Sequence, residues 1–497
     1  MYSVVKTRCG EVRGSVAGGV STFKGIPYAA PPFGANRLRP PQPVEAWSGV
    51  RDALVYGPKP PQLPYPPPFD VLLPDGTLAG EDCLNLNIWT PGLGSASHPV
   101  MVWIPGGAFE HESAGPSYDG SRFARDGIVC VTIHYRVGAD GFLYLDDGIA
   151  NCGLLDQVAA LTWVQENIAA FGGDPGNVTV FGESAGGMSI GSLLSMPCAE
   201  GLFRRAILQS GAAHPVMSAA TARRVGQHLA LKLGVEATRE AIAKVPLDQM
   251  LKAQAELNAD LAAHRDPQRW GEEVAVSVMP WQPVIDGNVI PSRPMDRIVD
   301  GAGADIDLII GTNTDEWRFF LVPSGAIGYI TDEVLAGAVA LYGLPVEATL
   351  AAYRAAHPNA SAGLLLAAIQ SDWYIRIPAL RLAEAHAKSA SATYLYEFAW
   401  CSPQFNGLLG ACHALEVPFV FDTIGNGTEV LAGTNPPQQL ADTMHAAWVA
   451  FATKGACGWP QYDLSRRTTM RFDTTSEVLD DPRSAERALW ESVRSLS

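Results

Sequence analysis

The stretch NVTVFGESAGGMSIG, Asn177 to Gly191, carries the reading of this chain. Five residues alternate and cluster as a β-strand, then the side chains all but vanish, and a helix of small residues begins. Gly-x-Ser-x-Gly occurs twice, as Gly182–Gly186 around Ser184 and as Gly187–Gly191 around Ser189. With 49 glycines in 497 residues, roughly a few tenths of such a match is expected by chance, so the pattern needs its context. A nucleophile elbow sets serine on a tight strand-to-helix turn whose strained backbone tolerates only small neighbours. Ser184 fits: it follows NVTVF by two residues and sits among Gly182, Ala185, Gly186 and Gly187. Ser189 falls five residues later inside the helix, where a serine ordinarily bonds back to a carbonyl and Gly187 and Gly191 serve close packing.

Outward from this turn the chain alternates strands and helices. NLNIWT (85–90), PVMVWI (99–104) and IVCVTIH (128–134) read as strands, two of them continuous apolar runs suited to a sheet covered on both faces. The segment 154–171 keeps helical spacing at Leu154, Val158, Leu161, Val164 and Ile168 and is broken by Gly172-Gly173-Asp174-Pro175. Further strands are expected at RRAILQ (204–209), IDLII (306–310) and TYLYEF (393–398), and helices at 221–233 and at 444–455, the last closed by Gly455. This succession predicts an α/β fold with one large, mostly parallel central sheet flanked by helices on both faces. A single domain over 1–497 is expected, with helical and loop insertions around the active site. The Pro-rich run 57–80 has no periodicity and reads as a loop lying beside a pocket or as a linker.

Thirty-five Lys and Arg against 51 Asp and Glu leave a formal charge of −16, which opposes nucleic acid and anionic membrane as partners. No apolar run approaches the ~18 residues of a membrane span, and the start MYSVVKTRCGEVRGS lacks an apolar secretory core, so a cytoplasmic setting is expected. Eight scattered cysteines show neither CxxC nor zinc spacing and read as reduced thiols. Neither metal nor organic cofactor is called for; the expected partner is a small molecule, and the oligomeric state stays open, a monomer being compatible.

Serine becomes nucleophilic when a base takes its proton and a carboxylate orients that base, in the chain order Ser, acid, His. His386 and His445 lie in helices and His357 in a turn, whereas His413 sits in GLLGACHALEVPF beyond the strand TYLYEF, where a catalytic histidine would hang. GTNTDEW (311–317) offers Asp315 and Glu316 at a strand end, and residue chemistry alone does not choose between them. PGGAF (105–109) after the strand PVMVWI supplies backbone N–H groups for an oxyanion, joined by that of Ala185. Candidate pocket walls, by proximity to these loops, are Phe109, Trp317, Phe320, Trp373 and Phe405.

These residues together resemble the type-B carboxylesterase family of α/β-hydrolases, which includes bacterial para-nitrobenzyl esterases and the cholinesterases. The likeness runs through FKGIPYAAPPFGANRLRPPQP (23–43), EDCLNLNIWTP (81–91), the segment 151–187, AILQSG, GTNTDEW and GACHALEVPFVF. The resemblance implies the triad Ser184, Glu316 and His413, oxyanion donors at Gly107, Ala108 and Ala185, and Glu183 and Ser210 beside them. It implies structural ion pairs of Arg37 with Glu81 and of Arg136 with Asp174. His134, where an asparagine is common, is read as packing; Cys83 matches a half-cystine whose partner position here holds Pro60. The family's His-Gly-Gly-Gly-Phe loop reads Pro105-Gly-Gly-Ala108-Phe, which places a methyl beside the substrate carbonyl. The implied activity is hydrolysis of small to medium neutral or aromatic carboxylic esters through an acyl-enzyme. A carbamate or amide hydrolase with the same triad, and a non-catalytic binding homologue, are the alternatives.

Overall fold

Alternation along the central strands divides the apolar side chains between two cores. In the computed structural model, which describes residues 1–73, 76–491 and 493, Val100, Val102 and Ile104 face one side with Val178, Val180, Ala206, Leu208, Leu308 and Ile310. Their neighbours Met101, Trp103, Phe181, Ile207 and Ile309 face the other. Period-2 geometry makes both faces apolar, so each needs a helical cover. Leu154, Leu161, Val164 and Ile168 cover the first face, and Met444, Trp448 and Phe451 the second.

The strands are β1 (Tyr2–Lys6), β2 (Glu11–Ala17), β3 (Val20–Pro27), β4 (Val50–Asp52), β5 (Asn85–Thr90), β6 (His98–Ile104), β7 (Val129–Ile133), β8 (Gly173–Glu183), β9 (Arg205–Gln209), β10 (Met217–Ser218), β11 (Val284–Ile285), β12 (Asp307–Asn313), β13 (Thr393–Phe398), β14 (Thr468–Phe472) and β15 (Glu477–Asp480). Among the described residues the main sheet runs β1-β2-β3-β5-β7-β6-β8-β9-β12-β13-β14-β15, with β4 beside β2, and β10 pairs with β11 apart from it. The stretch from β7 to β14 is parallel throughout, and antiparallel pairs close both ends. Sequence reading finds the parallel centre and overlooks β1–β3 and the β14–β15 hairpin. β1, β2 and β15 are mixed or exposed, and the better buried β3 and β14 interrupt their apolar residues with Ser, Thr, Lys or Arg, so no sustained apolar run marks them.

The expected helix at 154–171 is Cys152–Asn167 followed by a 3₁₀ turn to Phe171, stopped at Gly172 in the left-handed region. The helix expected at 444–455 starts earlier, at Gln438, and ends at Gly455 with φ 72°. The helices Asp332–Leu341, Val346–Ala356 and Ala362–Ser371 gather a separate core around Leu335, Tyr353 and Trp490. Of the Pro-rich run 57–80, Pro74 and Asp75 lie outside the described residues, as do Ser492 and 494–497. The rest of the run packs against the protein, Phe69 meeting Phe319 and Phe320 at ring distances of 5.3 and 6.4 Å. Among the described residues no single helix is long and apolar enough to cross a membrane, and all eight cysteines are free thiols.

Candidate active site

β8 delivers Ser184 to the carboxyl end of the parallel sheet, where open α/β sheets place their ligands. Ser184 has φ 55° and ψ −125°, a conformation that non-glycine residues hold only where the surroundings impose it. The surroundings here are two strands and a helix in close approach. A Cβ on Gly186 would lie 2.0 Å from the carbonyl oxygen of Ile104 on β6, so a larger residue would push the elbow off the sheet. The second Gly-x-Ser-x-Gly match lies inside the helix Ala185–Leu193. A Cβ on Gly191 would lie 2.7 Å from Ala213, and the buried Ser189 hydroxyl accepts from Gln157 Nε2 at 3.0 Å, a side-chain partner in place of the expected carbonyl.

His413 Nδ1 lies 2.6 Å from Glu316 Oε2, and Glu316 Oε1 accepts from the N–H of Asn313 at 2.7 Å. Asp315 turns away: its carboxylate pairs with Arg318 at 2.8 Å and accepts from Ala411 N–H at 3.1 Å. On the opposite edge of the imidazole, Nε2 is 3.1 Å from Glu183 Oε1. Burial pushes the Glu183 carboxyl up to about 8. Burial works against a charged imidazole too, but the carboxylates of Glu183 and Glu316 outweigh it and raise His413 to about 9. The other histidines are engaged elsewhere: His386 with Thr393, His445 with Val420 and Asp126, and His357 with Glu486.

Behind the acid runs a buried chain that sequence reading passes over. Asn313 Nδ2 donates to Glu416 Oε2 at 2.7 Å, Gln209 Nε2 donates to Glu416 Oε1 at 3.1 Å, and Trp448 Nε1 donates to Gln209 Oε1 at 3.0 Å. Glu416 stands three residues after His413, so its position is visible in sequence although its partner is not. Ser210 is fully buried with φ 48°, and its N–H donates to Gly311 O at 2.8 Å, tying β9 to β12 beside the acid.

Opposite Ser184, the loop after β6 turns sharply. Glu110 and His111 both donate their N–H to Gly107 O, at 3.0 and 2.9 Å, while Gly107, Ala108 and Phe109 take φ values of 121°, 55° and 61°. Gly106, Gly107, Ala108, Glu183, Ser184 and His413 share the wall of one cavity of about 220 Å³ with Tyr65, Leu72 and Leu73 of the Pro-rich run. A second cavity of about 230 Å³ shares Ala108, Ser184, Phe320 and His413 and is lined by Met188, Val216, Met279, Trp317, Tyr374 and Ile375. Its polar rim includes His214, which burial lowers to about 3, and Glu273. Burial opposes the charge on Glu273, and hydrogen bonds from Thr221 and Ser218 overcome it.

Of the five aromatic candidates, Trp317 and Phe320 line these cavities. Phe109 does not: its positive φ turns the ring into the core, edge-on to Phe142 at 5.1 Å. Trp373 packs between Tyr342 and Trp490 in the helical core, and Phe405 lies on the surface, 43% exposed. Tyr374, stacked on Trp317 at 4.2 Å, takes the place expected for its neighbour Trp373. The ion pairs also differ. Arg37 meets Asp140 at 3.1 Å rather than Glu81, and Arg136 meets Asp156 at 2.7 Å rather than Asp174, because Asp156 is the carboxylate in the first turns of the buried helix beside β7. Asp174 instead accepts from the N–H of Gly176. His134 is more than packing: its Nδ1 lies 2.8 Å from Glu112, both fully out of solvent.

The carboxylesterase family model matches residues 2–490. The chain is 38% identical to the para-nitrobenzyl esterase of Bacillus subtilis over 98% of both chains, and 35% identical to the phenmedipham hydrolase of Pseudarthrobacter oxydans over 98% of this chain and 96% of that one. A Geobacillus stearothermophilus carboxylesterase structure superposes with a TM-score of 0.86 at 37% identity, covering 98% of this chain and 100% of that chain. A para-nitrobenzyl esterase structure gives 0.84 at 35% identity, over 98% and 99%. With its sheet order, its elbow and its His–Glu contact in place, the chain belongs to the carboxylesterase family, has the α/β-hydrolase fold and is a carboxylic-ester hydrolase.

Proposed function

We propose that Ser184 is the nucleophile, His413 its general base and Glu316 the acid that orients and charges-stabilises the imidazole. The observation that carries this reading is the 2.6 Å contact of His413 Nδ1 with Glu316 inside a cavity wall that Ser184 shares. His413 takes the proton of Ser184 as its oxygen attacks the ester carbonyl, and the imidazolium is stabilised by Glu316. The N–H groups of Gly107, Ala108 and Ala185 receive the charge on the carbonyl oxygen. His413 returns the proton to the leaving alcohol, and water repeats the sequence on the acyl-enzyme. Glu183 beside Nε2 adds to the stabilisation of the imidazolium once the proton has moved, and Ser210 behind the acid holds the acid loop in register.

The two cavities meeting at Ser184 support substrates with one modest group on each side of the ester. An engineered cavity of roughly 150 Å³ accepts benzene, so cavities of about 220 and 230 Å³ accommodate an aryl ring or a short acyl chain. Trp317, Phe320, Tyr374 and Met279 favour neutral, apolar groups, in keeping with small to medium neutral or aromatic esters. The test is hydrolysis of p-nitrophenyl esters of graded acyl length, with aryl carbamates alongside, by wild type, Ser184→Ala and Ser189→Ala. Ser184→Ala should lose activity and Ser189→Ala retain it; full activity in Ser184→Ala would end the proposal.

A further inference from the structure

Two consecutive non-glycine residues, Ala108 and Phe109, sit at φ 55° and 61° in the loop proposed to bind the oxyanion. Such strain persists only where surrounding contacts over-determine it. On the core side the contacts are plain. Gly138 N–H donates to Phe109 O at 2.7 Å, Tyr135 OH donates to Pro105 O at 2.8 Å, and the Phe109 ring is buried. These fix the loop at Pro105 and at Phe109, and beyond them the buried Glu112 side chain pairs with His134 at 2.8 Å.

The main chain at Glu112 and the His111 ring are held by the Pro-rich run. The Gln62 side chain imitates a neighbouring strand: its Nε2 donates to Glu112 O and its Oε1 accepts from Glu112 N–H, both at 3.0 Å. His111 Nδ1 donates to Leu63 O at 3.0 Å, and its ring stacks on Tyr65 at 4.3 Å with 29° between planes. Burial lowers His111 to about 4, which keeps the imidazole neutral and the stack free of charge near neutral pH. Thr77 and Ser113 add a hydroxyl contact at 3.3 Å.

We infer that the Pro-rich run is a clamp on the oxyanion loop, and that Gln62 is a positioning residue for ester hydrolysis, acting through Glu112 and the Gly107–His111 turn on the N–H groups of Gly107 and Ala108. The inference rests on the reading of those N–H groups as oxyanion donors. Without the clamp, Ala108 relaxes toward negative φ and its N–H swings off the developing charge. Donors to an oxyanion act in the transition state, so their loss falls on kcat rather than on ground-state binding.

The experiment uses Gln62→Met, which keeps the length and packing of the side chain and removes both hydrogen bonds. With p-nitrophenyl acetate, kcat should fall about tenfold or more while KM stays within about twofold. Trifluoroacetophenone, which adds to a catalytic serine and presents an oxyanion, should bind more weakly by the same factor as the loss in kcat/KM. His111→Phe, which keeps the ring stack and loses the bond to Leu63, should show the same pattern at smaller size. If Gln62→Met retains kcat and inhibitor affinity while Ser184→Ala is inactive, the clamp is refuted and the serine reading stands. A loss confined to KM for bulky esters also refutes it, since the run would then be a wall only. Activity surviving in Ser184→Ala would instead remove the reading on which the clamp rests.

Discussion

Ala108→Gly isolates the strain in the loop proposed to bind the oxyanion and the methyl that accompanies it. An L-residue at φ 55° costs roughly 1–2 kcal/mol, and glycine escapes that cost while losing about 0.5–1 kcal/mol more chain entropy on folding. The net expectation is a gain of about 0.5–1 kcal/mol. Unfolding entropy is about 2.1 cal/mol/K per residue, so over 497 residues this moves Tm up by about 1 °C, within reach of calorimetry on paired samples. The methyl borders both cavities at Ser184, and its removal keeps the N–H donor. Esters branched beside the carbonyl or at the alcohol carbon should therefore gain kcat/KM by about tenfold, the worth of one methyl in a tight pocket, while p-nitrophenyl acetate changes little. A Tm lowered by more than about 2 °C, or no gain for branched esters, would refute the claim that Ala108 is both strained and obstructive.

Glu316→Gln should cut kcat on the order of a thousandfold or more, measured with p-nitrophenyl butyrate, because the buried imidazolium loses its counter-charge. The base must be neutral to act, and His413 is raised to about 9, so kcat/KM should fall with acid from above the ordinary imidazole range; a profile flat down to pH 6 contradicts His413 as base. Glu183→Gln removes one of the three carboxylates that raise it, Glu183, Glu316 and Glu416, so the acid limb should move to lower pH, read from the same profile. Asp156→Asn leaves Arg136 charged and buried, and unfolding should become easier by about 3–5 kcal/mol in denaturant titration.

The central sheet was readable because β6, β8 and β12 are buried on both faces and write their burial as apolar runs. The elbow was readable for a similar reason, being local: strand, small residues and helix follow one another within fifteen positions. The edges carry no such mark. β14, TTMRF, and β15, EVLD, are each partly exposed, and their pairing depends on β13, some seventy residues earlier. Ion-pair partners are equally non-local; Arg136 could not be matched to Asp156 rather than Asp174 until the turn after β7 was set against the helix Cys152–Asn167.

Distance along the chain from a catalytic loop says little about where a ring points. Phe109 ends the PGGAF loop and faces the core because its backbone is left-handed, while Tyr65, more than a hundred residues from Ser184, lines the cavity. Asp315 and Glu316 make the same point more sharply, since both lie in the turn after β12 and both are carboxylates. Arg318 and Ala411 N–H engage Asp315, whereas Asn313 N–H and the imidazole engage Glu316. The choice is thus made by what surrounds each carboxylate in the turn, a cation and a backbone N–H for Asp315, a buried imidazole for Glu316. Exchanging the two by a double substitution, Asp315→Glu with Glu316→Asp, should not transfer the role, because the longer carboxylate would still leave toward Arg318.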